Sequence, residues 1–272
     1  MPELRTLPGS EVKYRLWPAA DTRAVLLLVH GMGAHSDRWN FLADFFTKQA
    51  YACYALELQG YGELQDPAGH IDSFNIYYND IASLAELIRK ENPGKKIFAL
   101  AESMGSLITF LLTAKKPELF AGQILISPAF KSNMTFPLAA YFQLVASLLF
   151  NPSQAIKVPF TSARCTRDVK YQQKMDADPR ESRLASAKML LNNLLGQAEA
   201  KGAAEKVKLA TLFLLAGKDY LVDPKESRKI FQKIAAADKK LLEYPEMFHA
   251  LSIELGREQV FADILAWLGK RA

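Results

Sequence analysis

The sequence predicts an α/β protein: a mostly parallel sheet with helices on both faces and one helical insertion. Three observations lead there. Short apolar runs alternate with longer amphipathic ones along most of the 272 residues, which is the signature of strands joined by crossover helices. The runs are continuously apolar rather than alternating, as strands covered on both faces must be. The alternation stops between Ala129 and about Ala203, where only helical stripes remain.

Taken in order, Val12-Lys13-Tyr14-Arg15-Leu16-Trp17 alternates with period two and reads as an early antiparallel strand. Ala24 to Val29 is wholly apolar. Tyr51 to Leu56, Ile97 to Leu100, Gln123 to Ile126 and Thr211 to Leu215 repeat that pattern, and Leu241 to Tyr244 is a weaker copy. Helical periodicity covers Trp39 to Lys48, Ile76 to Lys90, Leu107 to Lys115, Pro224 to Ala236 and Arg257 to Leu268. Pro117 stops one helix, and Pro224 suits the first turn of another. Within the insertion, Leu138, Tyr141, Phe142, Val145, Leu148 and Leu149 form one stripe. Leu184, Leu191, Leu194 and Leu195 form a second. The expected organisation is a core from 1–128 and 204–272, interrupted by a helical cap or lid over 129–203.

Composition narrows the function classes. Half of the residues are hydrophobic, which excludes a disordered chain. Cys53 and Cys165 are too few for a disulfide framework or a tetrahedral zinc site, so no metal is expected and both read as free thiols of a reducing compartment. The start lacks the basic and apolar regions of a signal peptide. The apolar stretch from Phe136 to Phe150 is broken by Pro137, Gln143 and Ser147, short of the roughly 18 residues of a membrane span. The chain therefore reads as soluble and cytoplasmic. The net charge of +5 is too weak a balance to point to nucleic acid. Its distribution is uneven: nine basic residues against five acids between Ala155 and Lys201 place +4 in the insertion. The sequence carries no signal of oligomeric state.

The most informative segment is Ile97-Phe98-Ala99-Leu100-Ala101-Glu102-Ser103-Met104-Gly105-Ser106-Leu107. It reads as a buried strand, a tight turn and a helix. A serine at such a turn is held out on a strained backbone with a helix N-terminus aimed at it, the pattern of a G-x-S-x-G nucleophile elbow. Ala101 stands where the first glycine is usual.

A serine hydroxyl needs a base, and the chain has four histidines. His30 ends an apolar strand, and His35 and His70 lie in loops where a solvated surface position is the plain expectation. His249 follows the last weak strand, where doubly wound sheets carry their sites. Asp219, just past the strand from Thr211, can accept from the second ring nitrogen of that histidine and fix its tautomer. Asp223 is the rival carboxylate and reads better as a cap before Pro224. The oxyanion donors expected are the backbone N–H of Met104, the residue after the serine, and that of Met32 in His30-Gly31-Met32-Gly33.

With these residues in place, the set His30-Gly31-Met32-Gly33-Ala34-His35-Ser36, Gly60-Tyr61-Gly62, Ser73-Phe74-x-x-Tyr77-x-x-Asp80, Glu102-Ser103-Met104-Gly105, Asp219 and His249 resembles the monoacylglycerol lipase and lysophospholipase branch of the α/β-hydrolases, over essentially the whole chain. The resemblance implies an α/β-hydrolase fold with an eight-stranded sheet, a helical cap after the sixth strand, and cofactor-free hydrolysis of an acyl ester. Thr166-Arg167-Asp168 and Asp178-Pro179 match the family's cap more loosely. Ala101, Ser106, Glu57 and Glu102 depart from its usual residues.

The expected chemistry is attack by Ser103, proton transfer through His249 oriented by Asp219, and an acyl-enzyme that water resolves. Gly31 and Glu102 are expected beside the substrate, with Leu138, Tyr141, Phe142 and Val145 of the cap. Glu102 would raise the pKa of the histidine if it faced the site, although side chains at that turn position usually point away. The apolar stripe of the cap suits an acyl chain or transient, peripheral contact with a lipid surface. The basic balance of the insertion keeps lysophospholipid beside monoacylglycerol. Short-chain or aromatic esters stay open, as does an aminopeptidase using Glu102, Asp168, Asp176 or Asp178 for the substrate amine. A non-catalytic binding protein is the remote alternative.

Overall fold

The computed structural model describes residues 2–272. The chain runs β1 (Leu4–Thr6), β2 (Lys13–Trp17), β3 (Ala24–Val29), α1 (Asn40–Thr47), β4 (Tyr51–Glu57), α2 (Phe74–Glu91), β5 (Ile97–Glu102), α3 (Met104–Lys115) and β6 (Gly122–Ile126). The insertion follows: α4 (Leu138–Phe150), β7 (Ala155–Lys157), α5 (Ser162–Cys165), α6 (Val169–Ala177), β8 (Leu184–Ser186) and α7 (Ala187–Ala203). The core then resumes with β9 (Thr211–Ala216), α8 (Pro224–Lys233), β10 (Lys239–Tyr244) and α9 (Arg257–Leu268).

Eight strands form one sheet in the order β1-β2-β4-β3-β5-β6-β9-β10. Only β1 with β2 and β2 with β4 pair antiparallel. The strands from β4 to β10 are parallel, in registers such as Val25↔Ile97 and Ile126↔Leu214. The unbroken apolar runs have the cause expected of them. Side chains alternate between faces along a strand, so Val25, Leu27 and Val29 enter one core and Ala24, Leu26 and Leu28 the other. The first core is closed by Tyr77, Ile81 and Leu84 of α2, Leu107 and Leu111 of α3 and Ile230 of α8. The second is closed by Leu42 and Phe46 of α1 and by Val260, Ile264 and Trp267 of α9.

Capping agrees with the punctuation in the sequence. Ser73 accepts from Asn75 N–H at the start of α2, and Asp223 accepts from Lys225 N–H with Pro224 in the first turn of α8.

The structure corrects the reading of the insertion as purely helical. β7 and β8 pair antiparallel as a small separate ribbon, and Leu184, expected in a helical stripe, belongs to β8. Three-residue strands are too short to display a period, and β1 escaped notice for the same reason. Among the described residues, no helix is long and apolar enough to cross a membrane.

Candidate active site

Ser103 sits between β5 and α3 with φ 59° and ψ −122°. A positive φ at a residue with a side chain is a strained state that the surroundings must impose. Here the N–H of Ser103 donates to Ile126 O at 2.9 Å, and its carbonyl accepts from Ala129 N–H at 3.2 Å. Gly105 lets α3 approach β3, since a methyl there would meet the carbonyls of Val29 and His30. Ser106 is accounted for by two bonds, from its hydroxyl to Ala101 O at 2.7 Å and to Ile126 O at 3.1 Å. These tie the first turn of α3 to the ends of β5 and β6.

His249 and Asp219 meet at the same edge of the sheet. Nδ1 of His249 lies 2.7 Å from Oδ2 of Asp219, and Oδ1 of Asp219 accepts from the N–H groups of Leu221 and Val222 at 2.9 and 3.0 Å. The Asp219 carboxylate is thus fixed by the backbone and has one oxygen left for the imidazole. Burial disfavours the imidazolium of His249, but the charge and hydrogen bond of Asp219 outweigh it, and the pKa is raised. Asp223 caps α8 and pairs with Lys131 at 3.0 Å.

Ser103 and His249 line one cavity of about 260 Å³, together with Gly31, Met32 and Met104. Met104 is the first residue of α3, where backbone N–H groups have no partner within the helix. Gly31 comes so close that an added methyl would lie 2.9 Å from Cβ of Ser103. His30 shapes this loop. Its Nε2 accepts from Leu58 N–H at 3.1 Å, so Nδ1 holds the proton and donates to Gly31 O at 2.8 Å. Burial pushes His30 below the usual imidazole range.

The rest of the lining is mostly apolar: Met134 and Phe136, Tyr141 and Leu144 of α4, Phe160, Leu190 and Leu194 of α7, and Leu221 and Val222. Of the four cap residues expected at the substrate, Tyr141 alone is in this lining. Leu138, Phe142 and Val145 face outward with Leu149 and Phe150, all five between 58% and 86% exposed. The helix is turned so that Leu144, not Val145, accompanies Tyr141. A helix apolar nearly all round shows its inner face only in three dimensions.

Glu102, expected beside the substrate, does not follow the usual direction of side chains at that turn position. Its side chain is buried and lines the cavity rather than pointing away. Both carboxylate oxygens are engaged by Ser252, Oε1 by its N–H at 3.1 Å and Oε2 by its hydroxyl at 2.9 Å.

His35 and His70, expected on the surface, are covered by the insertion. His70 Nδ1 lies 2.9 Å from Ser186 Oγ. His35 is buried beside Asp178, at 3.4 Å, and Glu181, at 3.7 Å. Burial and the neighbouring guanidinium groups of Arg180 and Arg38 lower its pKa to about 3. These groups belong to an ionic seam that sequence reasoning missed. Arg38 is bidentate on Glu181, while Arg180 bridges Asp37 at 3.1 Å and Asp178 at 2.7 Å. A backbone bond from Ser182 N–H to Gly33 O at 2.9 Å completes it.

A second seam involves Glu254, whose side chain is fully buried. It accepts from the N–H and guanidinium of Arg167 in the insertion and from Phe248 N–H, the residue before His249. Cys165 lines the cavity, and burial pushes its thiol up to about 11. Among the described residues, no group of three or more His, Cys, Asp or Glu side chains is placed to hold a metal ion.

Comparison with known proteins agrees with this architecture. A family model described as serine aminopeptidase, S33 (Hydrolase_4) matches residues 20–256. Human monoglyceride lipase is 28% identical, the match covering 100% of this chain and 91% of that protein. The monoacylglycerol lipase of Mycolicibacterium smegmatis is 25% identical, over 96% and 93%. Among solved structures, a soluble variant of the Saccharomyces cerevisiae monoglyceride lipase in complex with a substrate analogue superposes with a TM-score of 0.86. It has 22% identity, over 100% of this chain and 96% of that one. With a family model matched over most of its length, the chain belongs to the serine aminopeptidase S33 (Hydrolase_4) family of α/β-hydrolases, and it resembles the monoacylglycerol lipase branch.

Proposed function

We propose that this protein is a serine carboxylic-ester hydrolase acting on acyl esters with an extended apolar chain, monoacylglycerols first among them. The observation that carries the reading is that Ser103, on its strained turn, and the His249–Asp219 pair open into one largely apolar cavity. In this reading Ser103 attacks the ester carbonyl while His249 takes its proton, and Asp219 holds the imidazole in the tautomer that can do so. The N–H groups of Met32 and Met104 receive the oxyanion. His249 then protonates the leaving alcohol, and water repeats the cycle on the acyl-enzyme. The chemistry uses no metal or organic cofactor. The names of the relatives, lipases for glycerol monoesters, fit a largely apolar cavity that also carries polar side chains such as Arg38, Glu102 and Asn193.

A neutral headgroup is favoured over a phosphate-bearing one. Four of the nine basic residues in 155–201 are paired within the fold: Arg167 with Glu254, Arg180 with Asp37 and Asp178, Arg183 with Asp176, and Lys201 with Glu226. An aminopeptidase needs a free carboxylate for the substrate amine. Of the four carboxylates expected, Asp168 caps α6, Asp176 and Asp178 hold arginines and none of these three lines the cavity, while Glu102, which does, is engaged by Ser252.

The outer face of α4 is read as the contact with a lipid–water interface. One helix lines the cavity with Tyr141 and Leu144 and exposes Leu138, Phe142, Val145, Leu149 and Phe150 on its other side. A contiguous apolar surface of that kind is unusual on a protein surrounded by water and suits shallow insertion into lipid.

The experiment is hydrolysis of monoacylglycerols and lysophospholipids across chain lengths, with short esters and aminoacyl arylamides alongside, in wild type and Ser103→Ala. Long-chain monoacylglycerol turnover that falls by roughly 10⁴-fold or more in the variant is expected. Turnover that survives in Ser103→Ala would overturn the nucleophile, and arylamide hydrolysis without ester hydrolysis would overturn the substrate class.

A further inference from the structure

The loop carrying His249 is fixed from several sides. Its carbonyl accepts from Ser127 Oγ at 2.7 Å, and the N–H of Ala250 donates to Cys165 O at 2.8 Å. Three residues after the histidine, Ser252 gives both its N–H and its hydroxyl to Glu102, the residue immediately before Ser103. One carboxylate thus joins the turn of the nucleophile to the loop of the base. Both oxygens are engaged there, and the proposed acyl transfer has so far given this side chain no part.

We propose that Glu102 is a positioning residue: through Ser252 it fixes the loop that carries His249 against the turn that carries Ser103. The inference rests on the serine-hydrolase reading and adds a group to it. Burying a carboxylate is costly, and a neutral side chain could cover the same ground. What the charge adds is a second anion near the imidazole, which favours the imidazolium that forms as Ser103 loses its proton. Burial raises the pKa of Glu102 above the usual carboxylate value, although His249, the N–H and hydroxyl of Ser252, and Arg38 oppose it. The charged and titratable groups around the pair are few. Asp219 bonds His249 directly, Arg38 approaches with its guanidinium bound to Glu181, and Cys165 and Tyr171 stand on the insertion side.

The test is the pH dependence of labelling by a fluorophosphonate probe, which reads nucleophile and base without a chosen substrate. Wild type, Glu102→Gln, Glu102→Asp, Ser252→Ala and Ser103→Ala are compared. In Glu102→Gln the plateau rate is expected to fall about 10- to 100-fold through misalignment, and the acid limb to move to lower pH because an anion near the imidazole is gone. Glu102→Asp keeps the charge and returns the limb toward wild type. Ser252→Ala lowers the plateau and leaves the limb in place. A Glu102→Gln profile that superimposes on wild type, or a plateau that falls with an unmoved limb, overturns the inference. If that variant does not fold, a Ser252→Ala plateau equal to wild type overturns it equally. Labelling absent from wild type, or surviving in Ser103→Ala, defeats the serine-hydrolase reading itself and takes this inference with it. Normal labelling with Glu102 variants unaltered defeats the Glu102 role alone.

Discussion

Oδ2 of Asp219 lies 2.7 Å from Nδ1 of His249, while Oδ1 of the same carboxylate is held by the N–H groups of Leu221 and Val222. The aspartate therefore cannot swing away, and it presents an acceptor and never a donor to the ring. Asp219→Asn can offer an N–H instead, which favours the tautomer that cannot take the serine proton. A fall in kcat of about 10⁴-fold is expected with the fold retained. The pKa of His249 is raised above the usual imidazole value because Asp219 outweighs its burial, and in the proposed chemistry its neutral form is the base. The acid limb of the residual activity should accordingly move to lower pH. A kcat–pH profile of the two proteins checks both effects.

Gly31 brings the loop after β3 close to Ser103. A methyl there would lie 2.9 Å from Cβ of Ser103 and 3.2 Å from the carbonyl of Glu102. Gly31→Ala should push this loop outward and with it the N–H of Met32. A loss of about 10²- to 10³-fold in kcat is expected, the size of a lost oxyanion donor. Thermal unfolding should move little by comparison. Activity equal to wild type would mean that the loop contributes no donor.

His35 makes the insertion's docking sensitive to acid. In the folded chain it stays neutral down to about pH 3, against an ordinary value of 6.5. Between those values the unfolded state binds the extra proton, so stability is fully present above pH 6.5 and drains away as pH falls toward 3. Asp178 acts lower. Hydrogen bonding to Arg180 holds its carboxyl at about 2, so its contribution is lost as pH falls from 3.8 through that value. Replacing His35 with Asn should flatten the urea midpoint between pH 6.5 and 4 relative to wild type, while the steeper loss near pH 3 remains.

The outer face of α4 can be separated from the chemistry. Leu149 and Phe150 are 72% and 86% exposed and do not line the cavity. A Leu149→Ser, Phe150→Ser double variant should bind phosphatidylcholine vesicles about tenfold or more weakly, since burying each such side chain contributes on the order of 1.5–3 kcal/mol when complete. Hydrolysis of a short soluble ester should be unchanged. Sedimentation with vesicles measures the first, and initial rates the second.

Much of this fold was legible because two-sided burial writes itself plainly. β3, β5, β6 and β9 are covered by helices on both faces, and their unbroken apolar runs announce it. Ser103 and Asp219 stood out as candidates because each follows such a run, and His249 because it follows the weaker run of β10; a turn serine with a helix behind it has few other uses. What escaped was set by partners distant in the chain. The burial of His35 depends on acids at Asp178 and Glu181, and the engagement of Glu102 depends on Ser252. No local pattern encodes those distances. The orientation of α4 was equally hidden, because its residues are apolar on nearly every side and only packing against α7 decides which of them turn inward. β1, β7 and β8 are too short to carry a period.

Glu254 serves two masters. Its carboxylate holds Phe248, next to His249, and at the same time the Arg167 end of the insertion. Along the same margin, Arg38 with Glu181 and Arg180 with Asp37 stitch residues 178–183 to the loop after β3. The Arg167 end of the insertion cannot lift from Glu254 without loosening the loop of His249. α4 itself carries no charged residue that could form such a pair, and it turns bare hydrocarbon outward. Under the proposed function, long-chain substrates would enter past α4, while the ion-paired margin holds the His249 loop in place.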